Sequence, residues 1–270
     1  MPIVTRTGRR KTSEVRKYGG AVAKNIEYKS REIQAFYSCN RSRWEEFYPS
    51  ERWVLAKLAG QDGFLGDVLD VGCACGGLGV ALSRQFRLSS YTGVDINRQA
   101  IEWAAKEQKL SVPATFMAGD ILGLALEDTF EVVMSLGCAD WNIESQKIME
   151  ACWARVKAGG HFVISLRLTT GPGVNDIETS YQYINFSGQE RTPEVANYVV
   201  FNFPAVLGLM QELKPAPTLI GAYGYWGKPA ATAVTPFTRL VFAVFYLRKG
   251  TGHESAGIAG EFTLPLEIFR

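Results

Sequence analysis

Between Asp67 and Leu168 the chain switches repeatedly between two spacings of apolar residues. Short apolar runs, "DVLDV", "SYTGVDI", "ATFMA", "TFEVVMS" and "HFVISLRL", are separated by segments whose apolar residues recur every three or four positions. The runs predict buried strands and the spaced segments predict helices with one inward face. After the first run, Leu78, Ala81, Leu82 and Phe86 share such a face. Asn97 then predicts a helix N-cap, with Ile101, Ala104 and Ala105 turned inward. A third stripe, Ile148, Met149, Cys152, Trp153 and Val156, is expected to stop at Gly159 and Gly160, where the strand "HFVISLRL" begins. Upstream, "REIQAFYSCNRSRWEEF" predicts one helix and "SERWVLAKLAG" another, with Ser50 as its cap and Val54, Leu55 and Leu58 inside. Downstream, "FPAVLGLMQEL" predicts a helix, and "TLIGAYGYW" and "TRLVFAVFYLRK" predict two closing strands joined by "GKPAATAVTP".

Strands and helices in this alternation predict an α/β fold: a doubly wound, mainly parallel sheet with helices on both faces, preceded by an N-terminal helical extension. Ligands on such sheets bind beyond the carboxyl ends of the strands. The loops after Val71, Val94, Met117, Met134 and Leu168 therefore carry the chemistry. The expected organisation is a basic N-terminal tail over 1–28, one domain over 29–249 and a C-terminal extension over 250–270. Within the domain, the stretch 170–201 is polar and aromatic and too long for a plain connection, so it is expected to cap the site.

Composition narrows the partners. A chain of 270 residues, 47% of them hydrophobic, can bury an ordinary core, and no apolar run reaches the ~18 residues of a membrane span. The expectation is a cytoplasmic protein that does not enter membranes. Five cysteines, an odd number scattered along the chain, predict free thiols rather than a disulfide framework. A net charge of +2 gives little long-range pull on nucleic acid, which leaves a small-molecule substrate as the expected partner and a homodimer open. The one basic cluster, Arg6, Arg9, Arg10, Lys11, Arg16 and Lys17, is read as a solvated tail.

The loop "VLDVGCACGGLG" decides the ligand. Cys73 and Cys75 lack the second Cys or His pair of a structural metal site, and His161 and His253 are the only histidines, so no metal is expected. A phosphate loop would end in Gly-Lys-Ser or Gly-Lys-Thr, which is absent. The frame "GCACGG" puts Ala74 at the second glycine of a dinucleotide fingerprint, which weakens that reading without removing it. Asp70, at the end of the first strand, would repel a pyrophosphate and attract an ammonium group. The helix that follows can face a carboxylate with its free N–H groups. Asp95, ending the second strand, can accept both hydroxyls of a ribose, and Asp120 can accept from an adenine amine while Ile121 packs on the ring. Amino acid, ribose and adenine in that order describe S-adenosylmethionine.

The segments "VLDVGCACGGLGVAL", "YTGVDI", "AGDI", "FEVVMSLGCADW" and "VKAGGHFVISL" resemble the successive motifs of class I S-adenosylmethionine-dependent methyltransferases over roughly residues 66–168. That resemblance implies the Rossmann-like methyltransferase fold, a seven-stranded sheet with an antiparallel last strand. It implies Asp70, Gly72, Cys73 and Ala74 around the methionine part, Asp95 and Ile96 at the ribose, Asp120 and Ile121 at the adenine, and Ser135, Leu136 and Gly137 beneath the cofactor. Tyr37, Arg41 and Trp44 would close over the cofactor, as helices placed there do in the family, with surface packing as the equal alternative. Ala74 departs from the family's glycine, and its methyl group is tolerable at negative φ. The fourth-strand loop "SLGCADWN" lacks the Pro-Pro-aromatic sequence of nucleic-acid amine methylases, and the chain also lacks the paired cysteines of RNA cytosine-C5 methylases and the double-glutamate loop of protein-arginine methylases.

Methyl transfer from a sulfonium is an in-line displacement that depends on holding two atoms near contact. A hydroxyl acceptor must also lose a proton, and Asp140 is the candidate catalytic base; an amine can react through its lone pair. Trp141, Tyr181, Tyr183, Tyr225 and Trp226 are the candidate substrate residues, within an aromatic group that includes Phe186, Tyr198 and Tyr223. His161 is read as structural and His253 as solvent-exposed. The leading expectation is a methyltransferase for a small molecule, with a hydroxyl acceptor slightly favoured and a saccharide or other biosynthetic intermediate as the substrate type. An NAD-dependent oxidoreductase and a non-catalytic cofactor-binding protein are the alternatives.

Overall fold

The computed structural model describes residues 31–184, 194–252 and 257–270. The basic cluster in 1–28, Phe186 and His253 lie outside them. The first elements are α1 (Arg31–Cys39), a 3-10 turn (Trp44–Glu46) and α2 (Pro49–Ala59). The alternating region follows as β1 (Phe64–Val71), α3 (Gly77–Gln85), β2 (Arg87–Asp95), α4 (Arg98–Glu107), β3 (Ala114–Ala118), β4 (Phe130–Ser135), α5 (Ser145–Ala154) and β5 (Val156–Thr169). The remainder comprises β6 (Tyr181–Tyr183), β7 (Val195–Asn197), β8 (Phe201–Asn202), α6 (Phe203–Gln211), β9 (Pro217–Gly227), β10 (Ala233–Val234), β11 (Leu240–Lys249) and β12 (Ala259–Thr263).

The central sheet runs β12-β9-β11-β5-β4-β1-β2-β3. From β3 to β5 every pairing is parallel, and β11 is antiparallel to both β5 and β9. Seven strands thus have the expected arrangement. The sheet is larger than expected, with nine strands among the described residues. β12 adds in parallel to β9, so part of the C-terminal extension closes the edge of the sheet, and the two-residue β8 pairs with β5.

Strand alternation sorts the core onto two faces. On one, Val68, Val132, Met134 and Val163 meet Val54 and Leu55 of α2 and Leu78, Ala81 and Leu82 of α3. On the other, Leu69, Val133, Phe162 and Ile164 meet Ile148, Met149, Cys152 and Trp153 of α5 and Phe203, Val206 and Met210 of α6. Each fully buried Leu, Val or Phe side chain stabilises the fold by about 1.5–3 kcal/mol. The sheet is consequently clamped from both sides, and its carboxyl-end loops project from a rigid base.

Four local expectations change. The predicted helix over 31–47 breaks after Cys39: Arg41 turns to φ 57 and its carbonyl packs against the bare Cα of Gly77. Ser50 does not cap α2. Pro49 takes the first helical position and the Glu51 carboxylate accepts the Tyr48 N–H at 2.8 Å, closing the N-terminus two residues earlier. Ala105 is exposed, while Ile101 and Ala104 are buried and Asn97 caps α4 by accepting from the Ala100 N–H at 3.0 Å. Finally, α5 ends at Ala154, and Val156, Gly159 and Gly160 already belong to β5. Gly159 adopts φ 78, and a Cβ on Gly160 would lie 2.7 Å from the Glu131 carbonyl, so the pair forms an irregularity against β4 rather than a helix stop.

Within 170–201, β6 and β7 form a small sheet together with β10 from outside that stretch, in the order β10-β6-β7. Ser180 anchors it: its hydroxyl donates to the Tyr198 carbonyl at 2.7 Å and lies within hydrogen-bond distance of the Thr235 hydroxyl, at 3.0 Å. No helix among the described residues is long and apolar enough to cross a membrane, and all five cysteines are free.

Candidate functional site

The loop after β1 is stitched to the end of β2. The N–H groups of Gly72 and Cys73 both donate to the Val94 carbonyl, at 2.8 and 3.1 Å. Gly72 has φ 82, and a Cβ there would stand 2.6 Å from Cys138 Sγ, so the fourth-strand loop closes on it only because it is glycine. Ala74 has φ 47, outside the negative range in which its methyl group is tolerated without strain. What holds it in the left-handed region is Asp95. The Ala74 N–H donates to Asp95 Oδ2 at 2.8 Å, and Oδ1 accepts from the Asn97 N–H at 2.8 Å. Charge-assisted bonds of this kind are about twice as strong as neutral ones, which offsets the strain of an L-residue there.

Asp70, at the end of β1, is 2% exposed, and its Oδ2 accepts from the Tyr91 hydroxyl at 2.6 Å. Burial pushes its carboxyl up to about 7; the Tyr91 bond and the Arg41 charge oppose the rise, and Asp95 and Glu51 add to it. Asp120 Oδ1 accepts from the Leu122 N–H at 3.0 Å, which folds the loop after β3 back beneath the buried Ile121. Gly137, at φ 65, donates its N–H to Ser165 Oγ at 2.6 Å.

These loops surround a cavity of 490 Å³ whose wall includes Asp70, Gly72, Cys73, Ala74, Asp95, Ile96, Asp120, Ile121, Leu136 and Gly137. From the N-terminal segment Tyr37 and Arg41 also reach it, and from the fourth-strand loop Asp140 and Trp141. Arg41 crosses to α2 and pairs with Glu51 through Nη2 and Oε1 at 2.8 Å, its guanidinium 4.6 Å from the Phe47 ring centroid.

Six residues proposed from sequence are not in this wall. Trp44 packs edge-on to Phe86 at 5.2 Å. Ser135 is wholly buried at the end of β4. Tyr181 and Tyr183 form an edge-to-face pair with centroids 5.4 Å apart. Because β6 alternates, the residue between them, Gln182, lines the cavity instead. Tyr225 lies beside Phe242 at 6.4 Å, and it is Phe242 that reaches the cavity. Trp226 carries Arg239 on its ring at 4.1 Å. His161 sits at the opposite end of the sheet, its pKa pushed down to about 4 by burial and by Arg248.

The wall also holds residues that the sequence reading passed over: Tyr48, Glu51, Gln182, Phe242 and Arg167. Arg167 of β5 is 4% exposed and stacks between Trp141 and Tyr198, 4.1 and 3.8 Å from their ring centroids. Its Nη1 donates to the Asp140 carbonyl at 2.9 Å and its Nε lies 3.4 Å from Asp140 Oδ2. Burial raises the Asp140 carboxyl above the usual range and Arg167 pulls it back. Asp140 Oδ1 is buried with no hydrogen-bond partner among the described residues. Such an oxygen is costly unless a proton or ligand donor meets it.

Residues 68–160 match the family model for a methyltransferase domain. A ribosomal RNA small subunit methyltransferase C from Haemophilus ducreyi is 34% identical over 83 residues, covering 30% of this chain and 25% of the relative. The chain thus spans a quarter of that relative's length. A methyltransferase structure from Clostridium acetobutylicum aligns over 73% of this chain and 89% of its own at 14% identity, with a TM-score of 0.49. A 1,6-didemethyltoxoflavin-N1-methyltransferase from Burkholderia thailandensis, with 1,6-didemethyltoxoflavin and S-adenosylhomocysteine bound, aligns over 74% of this chain and 77% of its own at 22% identity and a TM-score of 0.48. Asp70 and Asp95 stand at the carboxyl ends of β1 and β2, and Asp120 in the loop after β3, all within the segment that matches the methyltransferase-domain model.

Proposed function

We propose that this domain methylates a small molecule, with a hydroxyl group as the favoured acceptor, and that the 490 Å³ cavity holds both reactants. The residues present fit the cofactor. Asp70 Oδ1 accepts no hydrogen bond from the described residues and suits an ammonium group. Asp95, which lines the cavity, suits ribose hydroxyls, and Asp120 with Ile121 suits adenine. The N-terminal turn of α3 turns its N–H groups toward a carboxylate, and Tyr37 and Arg41 line the same cavity from the N-terminal segment. When bound, S-adenosylmethionine supplies the electrophilic methyl group. The protein's part is to hold an acceptor in line with it and exclude water.

One observation carries the hydroxyl reading: the unpartnered Oδ1 of Asp140, in a carboxylate that burial makes more basic, beside the aromatic wall of Trp141, Tyr48 and Phe242. Asp140 would take the proton of an acceptor hydroxyl while Arg167 keeps the carboxylate anchored. Aromatic walls with a carboxamide, Gln182, suit a hydroxylated ring such as a saccharide.

An RNA acceptor is the second reading, motivated by the ribosomal RNA methyltransferase that shares 34% identity over 83 residues. A screen with radiolabelled S-adenosylmethionine against sugars, nucleotide sugars, phenols and ribosomal RNA separates the two. Label in a small hydroxylated compound is expected. Label in RNA alone would replace the first reading with the second, and calorimetry showing NADH binding in place of S-adenosylmethionine would remove both.

A further inference from the structure

Tyr91 is the only tyrosine in the β2 strand, and it points into the core at 1% exposure. Its ring passes beneath α3 where Gly79 has no side chain: a Cβ on Gly79 would stand 2.6 Å from the ring's Cζ. The ring also meets Phe116 at 5.9 Å between centroids. A buried phenol needs an acceptor, and this one ends on Asp70 Oδ2 at 2.6 Å. Of the two residues, Asp70 lines the cavity and Tyr91 stands behind it. The bond fixes the plane of the carboxylate and leaves Oδ1, which accepts from none of the described residues, for a ligand.

We propose that Tyr91 is a positioning residue for cofactor binding, whose hydroxyl orients the Asp70 carboxylate toward the ammonium group of S-adenosylmethionine. The inference rests on the assignment of Asp70 to that ammonium. The groups facing Asp70 are few. Tyr91 and Arg41 favour its ionised form, burial, Asp95 and Glu51 oppose it, and the neighbouring thiols of Cys73 and Cys138 are themselves pushed upward by burial and stay neutral near pH 7. Removing the Tyr91 hydroxyl takes away the largest influence that holds the Asp70 carboxyl down. Ionised Asp70 binds an ammonium and protonated Asp70 does not. Affinity for a ligand with the amino-acid end should therefore rise with pH through about 7, and the rise should come later without the hydroxyl.

The test is calorimetry of S-adenosylhomocysteine and of 5′-methylthioadenosine, which lacks the amino-acid end, between pH 5.5 and 8.5. In Tyr91→Phe the midpoint for S-adenosylhomocysteine is expected to move up by about one pH unit, lowering affinity about fivefold at pH 7, with methylthioadenosine unaffected. Tyr91→Leu, also without the hydroxyl, should share the moved midpoint. A wild-type midpoint in Tyr91→Phe overturns the proposal, as does equal weakening of both ligands at every pH, the mark of a merely structural ring. Asp70→Asn tests the underlying assignment separately. It should weaken S-adenosylhomocysteine alone and abolish the pH dependence. Wild-type binding by that variant would remove the ammonium assignment and the proposal with it.

Discussion

The Arg167 guanidinium holds Asp140 at two points, with Nη1 on the backbone carbonyl at 2.9 Å and Nε 3.4 Å from carboxylate Oδ2. The pair is buried between the rings of Trp141 and Tyr198, so neither charge can fall back on water when the other is removed. Breaking a buried pair from one side costs about 3–5 kcal/mol because the remaining charge is left uncompensated. Arg167→Ala is expected to lose that much in urea denaturation at neutral pH. A loss below about 1 kcal/mol would mean the pair is screened and the rings alone hold the loop.

Asp140 itself should separate chemistry from binding. Asp140→Asn keeps the shape of the side chain and removes its basicity. With a hydroxyl acceptor, turnover is expected to fall by about two to four orders of magnitude while S-adenosylhomocysteine affinity stays within about twofold of wild type. Burial raises the Asp140 carboxyl, so wild-type turnover should climb with pH until that group is ionised and then level. Full activity in the asparagine variant would retire Asp140 as the base and favour an acceptor that attacks through a lone pair.

Asp70 predicts a stability profile of unusual sign. Its carboxyl lies near 7 in the folded protein against an ordinary 3.8, so the folded state holds a proton that the unfolded chain has released between those values. Its contribution to stability is therefore unopposed below about pH 4, declines as pH rises and is at its most unfavourable above about pH 7. Asp70→Asn should accordingly stabilise the protein at pH 8, on the order of a kcal/mol or more, and change little at pH 4, while cofactor affinity falls. Thermal melts at the two pH values check this. Equal shifts at both would show that the titration of Asp70 is not involved.

The alternation of strands and helices and both core faces were legible because apolar period is a local property, whereas the antiparallel last strand followed from the family resemblance: Val68 and Leu69 had to face opposite ways once their run was read as a strand. The three acids were legible because strand ends are. The cap was not. Reading Tyr181 and Tyr183 as substrate residues followed aromatic content and ignored the alternation that turns Gln182 inward. Arg167 had a signal that went unused, since a lone charge inside the apolar run "HFVISLRL" must find a buried partner, and Asp140 was already in view. Tyr91 was hidden for a different reason. Its role depends on Gly79 and Asp70 meeting it in space, and nothing in their spacing announces that meeting. The break at Arg41 was equally tertiary, set by the fit of its carbonyl against Gly77.

Ala74 offers the sharpest test of how the cofactor loop is held. At φ 47 its methyl group costs about 1–2 kcal/mol relative to a residue without one, and the Asp95 carboxylate that accepts its N–H at 2.8 Å keeps it there. Glycine would remove that strain but would gain about 0.5–1 kcal/mol of extra freedom in the unfolded chain. The balance predicts that Ala74→Gly stabilises the protein by about 0.5 kcal/mol and leaves S-adenosylhomocysteine affinity within about twofold, because the hydrogen bond to Asp95 needs only the backbone. Asp95→Ala should do the opposite. It removes the acceptor for both Ala74 and Asn97, so it is expected to release the strained turn and lower cofactor affinity at least tenfold, an effect of ~1.4 kcal/mol or more. Denaturation and calorimetry on the two single variants and the double variant complete the cycle. If Asp95 enforces the turn, Ala74→Gly should add less stability to Asp95→Ala, whose turn is already released, than the about 0.5 kcal/mol it adds to the wild type, and strictly additive effects would mean the two residues act independently.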